Sequence, residues 1–92
     1  MRRFQPLNEL PTAQLRADVA SQRLADLYHN TLLERIEARC AVENVGSQRV
    51  LEKTGFEREG RLRAYFKLRG RRMDNYLYAL LRDDYLVGRG KG

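Results

Sequence analysis

The sequence predicts a small α+β domain, and three observations carry that expectation. Apolar residues recur at helical spacing between residues 13 and 30. Two later stretches alternate with the period of a strand, one of them folded back as a hairpin. Between them lies a short helix with a start signal and a stop signal of its own. The expected order is helix, strand, helix, strand, strand, giving a three-stranded, largely antiparallel sheet with two main helices. The chain has 92 residues, 42% hydrophobic and 33% charged, which fits one globular domain with a thin core.

Residues 1–11 hold both prolines, Pro6 and Pro11, and read as an extended lead-in. Thr12 is placed to cap a helix from about Ala13 to Asn30, within a helical region spanning 12–32. Leu15, Val19, Ala20, Leu24, Leu27 and Tyr28 form its apolar stripe. His29 near its end suits the negative pole of the helix dipole. No second His or Cys stands at ligand spacing, so no metal site is expected. In "RIEARCAV", Ile36, Ala38, Cys40 and Val42 share one face, and Glu37, Arg39 and Ala41 the other, as in a half-buried strand. Cys40 then serves as a small hydrophobe, with no neighbouring base to lower its pKa.

Asn44 is a good N-cap for the next helix. Val45, Val50 and Leu51 supply its apolar side, and Gln48, Arg49, Glu52 and Lys53 face outward. Gly55 suits a left-handed closing residue, with Phe56 where a Schellman end makes its hydrophobic contact. "GRLRAYFKL" alternates around Leu62, Ala64 and Phe66, and "DNYLYALL" sets Tyr76, Tyr78 and Leu80 against Leu77, Ala79 and Leu81. Gly70 in the intervening "RGRR" marks a hairpin turn. Asp83, Asp84 and Tyr85 start a last helical turn, and 87–92 form a flexible basic tail.

Composition narrows the function. A single cysteine excludes an internal disulfide and points to a reducing cytoplasm. No apolar run approaches the ~20 residues that span a bilayer, and "MRRFQPLNEL" lacks the apolar stretch of a signal peptide. The net charge of +6 favours a polyanionic partner. The excess crowds into Arg58, Arg61, Arg63, Lys67, Arg69, Arg71 and Arg72, opposed locally by Glu57 and Glu59. That cluster reads either as the solvated side of a hairpin or as a nucleic-acid contact. Asn44 and Ser47 lie about one turn apart at a helix start, whose unpaired amides suit phosphate or carbonyl oxygens. The same two residues also serve as ordinary caps.

The run "RIEARCAVENVGSQRVLEKTGFEREGRLRAYFKLRGRRMDNYLYALLRDDY" resembles the C-terminal half of the GNAT superfamily of acetyl-CoA-dependent N-acetyltransferases. It looks most like the branch that acetylates ribosomal-protein N-termini and related amines. The carrying motifs are the strand Arg35–Val42, "NVGS" from Asn44 to Ser47, "RVLEKTGF", "EG", and Asp74 with "YALLRDDY". The resemblance covers about residues 33–86, within a single truncated domain spanning 1–92. It implies acetyl-CoA as acetyl donor, an amine or protein N-terminus as acceptor, and no metal. It also implies that Asn44 and Ser47 face the thioester and pantetheine end, with Ser47 as the acid for the departing thiolate. Many members carry a tyrosine acid seven positions after the asparagine, where this chain has Leu51.

Three departures accompany the resemblance. "ELPTAQLRADVASQ" holds no glycine where the family has its pyrophosphate loop. The first 35 residues leave no expected place for the cofactor-holding strand. A glutamate base of some relatives is replaced by Tyr65 or Phe66, which leaves Glu37 and Glu43 as candidate bases. Arg35–Val42 would then be an open sheet edge, and a homo-oligomer through that edge is expected. Two alternative functions follow. One is a non-catalytic relative that oligomerises or binds CoA weakly. The other is a basic module that binds RNA or ribosomes through Arg58–Arg72.

Overall fold

Residues 12–16 fold as a strand, and this changes the sheet that the sequence predicts. The structure, a computed structural model, describes residues 10–90. Most of the expected lead-in and the last two residues of the expected tail therefore lie outside the described residues. In chain order the elements are β1 (Thr12–Arg16), α1 (Ala17–Asn30), β2 (Arg35–Ala41), α2 (Val45–Lys53), β3 (Glu57–Leu68), β4 (Arg71–Leu81) and α3 (Arg82–Gly90). The sheet has four strands in the order β1-β2-β4-β3, with β1 parallel to β2 and the other pairs antiparallel.

Four expectations are corrected here. The sheet is four-stranded, not three-stranded. The first helix begins at Ala17, and Thr12 does not cap it: its hydroxyl donates to the Leu10 carbonyl at 2.9 Å. A strand does stand before the helix, where no room for one was expected. Finally, β2 is interior, flanked by β1 and β4, so Arg35–Val42 is not an open edge. The physical reason is register. The Pro11 carbonyl accepts from the amides of Glu34 and Arg35 at 3.0 and 3.3 Å, which places Ala13 and Leu15 beside Ile36 and Ala38. Pairing and burial there outweigh the helical propensity of "TAQLR".

All three helices pack on one face of the sheet. Ala17, Ala20, Leu24 and Tyr28 of α1 meet Ile36, Ala38, Cys40, Tyr78 and Leu80 from the strands, and Leu51, Phe56 and Tyr85 complete the core. Cys40 is buried on this face, and burial pushes its thiol above the ordinary value. α2 ends as expected: Gly55 has φ of 100°, the Phe56 amide reaches the Leu51 carbonyl at 3.0 Å, and the Gly55 amide reaches Glu52 at 3.1 Å. These are the two bonds of a Schellman end. Its apolar side is narrower than predicted, because Val45 and Val50 are exposed and Leu51 alone is buried.

The hairpin turn is the two-residue loop Arg69–Gly70, with φ of 52° and 80°, which matches the right-handed twist of the strands. β3 does not alternate regularly through Ala64. The register shifts between Leu62 and Phe66, and Ala64 sits exposed at φ 48°. α3 is longer than the single turn expected, running through much of the predicted tail.

The opposite sheet face carries no helix among the described residues. Half-buried Arg35 dominates it, donating to Glu37 at 2.8 Å and to both oxygens of Glu59 at 3.2 and 2.6 Å. Arg35 holds the Glu59 carboxyl below its ordinary range. Asn75, buried on this face, leaves its Oδ1 without a partner among the described residues.

Polar closure at the far end of α1 fixes its position. Arg82 donates to the carbonyls of Tyr28 at 2.6 Å, Thr31 at 2.7 Å and Leu33 at 2.6 Å. The Tyr28 and Thr31 carbonyls belong to the last turn and cap of α1, where a cation also meets the negative pole of the dipole, and the Leu33 carbonyl lies in the segment leading into β2. The buried Tyr28 hydroxyl donates to the Leu80 carbonyl, and burial pushes its pKa up to about 12, so it stays protonated. Arg82→Met keeps the aliphatic stem and removes the three charge-assisted bonds. Urea denaturation should show a loss of about 2–4 kcal/mol, since each bond to a charged group contributes roughly 1.5–3 kcal/mol before relaxation.

Candidate functional site

α1 begins at the residue after β1, and α2 begins four residues after β2, so both helix starts lie at the carboxyl ends of the parallel strand pair. In sheets with parallel strands, ligands bind at this end. A cavity of about 360 Å³ lies between the two starts, lined by Ala17 and Asp18 from α1 and by Asn44, Gly46, Ser47 and Val50 from α2 and its cap. The structure therefore brings both predicted site residues, Asn44 and Ser47, into one cavity.

Each has a distinct position. Asn44 caps α2, its Oδ1 accepting from the Ser47 amide at 3.0 Å. The turn behind it is held by the Asn44 amide on the Ala41 carbonyl at 2.9 Å and by Gln48 Nε2 on the Val42 carbonyl at 2.8 Å. Ser47 is half-buried, and its hydroxyl has no hydrogen-bond partner among the described residues. That leaves a free donor at the mouth of a helix whose own first amides are partly satisfied.

The start of α1 differs. Its N-cap residue Arg16 makes no side-chain capping bond, so the leading amides of this helix are open to a ligand oxygen. Asp18 in the first turn is exposed and lies 3.4 Å from Arg16. A carboxylate at this position competes for the amides that would hold an anion, and it repels one. The two starts together suit a carbonyl or thioester oxygen better than a diphosphate.

The candidate bases are not in the cavity. Glu37 is bound to Arg35 on the opposite face of the sheet, and Glu43 is exposed, 3.6 Å from Arg71. Leu51 points into the core and is fully buried. Tyr65 lies on the β3 bulge, its hydroxyl accepting from Arg39 at 2.7 Å. Ala17, Asp18 and Val50 are lining residues that sequence reasoning missed. The usable signal was the inward alternation of Ala13 and Leu15 after Pro11, followed by the acidic Asp18 of a helix first turn.

A second layer sets the roll of α2. The Arg58 guanidinium stacks 3.8 Å from the Tyr76 ring centroid and donates to the Tyr78 hydroxyl at 3.2 Å. The Tyr78 hydroxyl in turn donates to Glu52 of α2 at 3.1 Å, and burial raises its pKa so that it keeps the proton.

Comparison with known proteins places these elements. The family model described as an acetyltransferase (GNAT) domain matches residues 14–57, from within β1 to the start of β3. An uncharacterized N-acetyltransferase p20 of Bacillus licheniformis is 41% identical over 70 residues, covering 75% of this chain and 39% of that protein. The probable N-acetyltransferase YjcK of Bacillus subtilis is 44% identical over 57 residues, covering 62% of this chain and 32% of the relative. The chain thus spans 39% and 32% of the length of these two curated relatives. Among solved structures, an acetyltransferase (GNAT family) from Bacillus anthracis is 34% identical with a TM-score of 0.63, covering 73% of this chain and 40% of that one. The spermidine N-acetyltransferase from Vibrio cholerae, in complex with CoA and spermine, is 28% identical with a TM-score of 0.68, covering 76% and 41%.

The cap can be tested apart from chemistry. Asn44→Ala should cost about 1 kcal/mol in urea denaturation, and Asn44→Asp should recover most of it, because either side chain can accept from the Ser47 amide.

Proposed function

The chain belongs to the GNAT superfamily of N-acetyltransferases, and on that premise we propose that its cavity receives the thioester end of acetyl-CoA for acetyl transfer to an amine. The observation that carries this reading is the convergence of two helix starts at the carboxyl ends of β1 and β2, with the Ser47 hydroxyl unengaged between them. In the reaction a neutral amine nitrogen attacks the thioester carbonyl carbon, the C–N bond forms and the C–S bond breaks. Open amides at the start of α1 supply donors for the carbonyl oxygen as its charge grows. Ser47 supplies the proton to the departing sulfur, and Asn44 holds the helix start that presents it. Asp18 lines the same cavity and is the candidate acceptor of the amine proton. The acceptor class is a primary amine, either a polyamine or a protein N-terminus.

The fit is uneven along the donor. Cavity size and the free hydroxyl suit the acetyl and pantetheine end. The start of α1 offers no glycine and carries Asp18, so it suits a pyrophosphate poorly. This unevenness favours a second reading, in which the chain binds CoA weakly and does not turn over. Calorimetry with acetyl-CoA should give a binding heat at millimolar cofactor, and no heat would exclude both readings. With binding established, Ser47→Ala should slow acetyl transfer about 100-fold with affinity unchanged. Binding without any turnover by the unaltered chain would select the non-catalytic reading.

We further propose that two copies join through the free edge of β1, whose outer side has no strand partner among the described residues. An unpaired strand edge is a ready template for another copy. Light scattering at micromolar concentration should return twice the 10.8 kDa chain mass. A monomeric mass would overturn the proposal.

A further inference from the structure

The basic cluster of the hairpin divides into cations that have a partner and cations that do not. Arg58 is taken by Tyr76, Tyr78 and Glu52, Arg61 by Asp74 at 2.9 Å, and Arg71 by Glu43 at 3.6 Å. Arg63, Lys67, Arg69 and Arg72 have no ion pair among the described residues, and all four are exposed. Lys67 and Arg72 stand directly opposite each other across β3 and β4. Like charges facing across a ladder destabilise a sheet, and an anion bound beside Lys67 and Arg72 would relieve that repulsion.

The β3 bulge gives these cations a shape to work with. Asp74 Oδ1 accepts from the Ala64 amide at 2.7 Å, while its Oδ2 is held by Arg61, so the one carboxylate here is engaged through both oxygens. That bond pins Ala64 in the left-handed region at φ 48°, unusual for a residue with a side chain. The strand is thereby bent around an open cleft of about 750 Å³, with Arg61, Arg63 and Arg72 on its lining beside Tyr65. Tyr65 is 44% exposed, and Arg39 both donates to its hydroxyl and lies 5.5 Å from its ring centroid, which holds the ring in place. A fixed, exposed aromatic residue beside two arginines without an ion pair, Arg63 and Arg72, is the arrangement that takes a base on the ring and phosphates on the guanidinium groups.

We propose that this cleft binds single-stranded nucleic acid, with Tyr65 as a stacking platform and Arg63 and Arg72 as phosphate contacts. The site is separate from the cavity between the helix starts, and it shares no residue with it. Lys67 and Arg69 extend the positive track to the hairpin tip.

The test uses fluorescence anisotropy of the full chain with labelled oligouridylate and oligodeoxythymidylate of about 12 nucleotides, within the usual site-size range. Affinity should fall steeply between about 50 and 200 mM salt, with a log–log slope near −0.7 for each phosphate neutralised. Arg63→Ala with Arg72→Ala should weaken binding at least tenfold and make the slope shallower by about 1.4. Tyr65→Leu should weaken binding roughly 5- to 100-fold with the slope unchanged, because stacking releases no counterion. Preference for the ribose or the deoxyribose strand would identify the source, and binding of either supports the site. Absence of binding at about 50 mM salt would overturn the proposal, as would full affinity in the double arginine variant. Binding to phosphatidylserine vesicles but not to either oligonucleotide would also overturn it. Circular dichroism checks that each variant remains folded, as expected for exposed substitutions.

Discussion

Arg82 is the interaction on which the arrangement of this small domain depends. It sits where β4 passes into α3, and its guanidinium closes the last carbonyls of α1 and the segment leading into β2. Its own amide reaches the Glu34 carbonyl at 2.9 Å. One residue therefore joins the end of the sheet, the end of the first helix and the start of the central strand. The core of a chain this size is thin, so a polar clamp at the helix end carries a larger share of the specification than it would in a big domain. The near end of α1 is held by its own buried residues Ala17 and Ala20, so clamp and core together aim it toward the start of α2.

Much of this was legible in the sequence, and the residues show why. The β2 alternation, the caps of α2 and the hairpin turn are local signals, each read from a few neighbouring side chains, and each holds. The strand at 12–16 was not legible, because alanine, glutamine, leucine and arginine are all good helix formers. Only the long-range pairing of Pro11 with Glu34 and Arg35 makes them a strand, and nothing adjacent in sequence announces that contact. The site followed the same division. Asn44 and Ser47, proposed from a local motif, line the cavity between the helix starts, whereas Asp18 and Ala17 join them there only through the parallel pairing. Ala64 misled the alternation for a related reason: its bend is imposed by Asp74, ten positions away, rather than by its own chemistry.

The electrostatics sort the chain's surplus of positive charge into structural and free parts. Arg35 and Arg82 are half-buried and engaged through several donors, Arg58 and Arg61 are each committed to partners around β4, and all four hold elements together. Guanidinium groups suit this work because a planar fork of donors satisfies several acceptors at once. Of the hairpin's cations, Arg63, Lys67, Arg69 and Arg72 have no ion pair among the described residues, and they lie at or beyond the β3 bulge. A net charge of +6 is therefore not spread evenly over the surface. It is concentrated at one end of a hairpin, away from the helix starts that the family resemblance singles out.

Cys40 offers one more consequence. It is the sole thiol of the chain, it lies on the inner face of the central strand, and its burial disfavours the thiolate. A thiol reagent can therefore reach it only when β2 parts from the helices above it. The rate of alkylation becomes a built-in clock for the opening of the sheet's middle, with no probe added. Because the same strand ends at the cap of α2, that clock also reports how often the neighbourhood of the cavity comes apart.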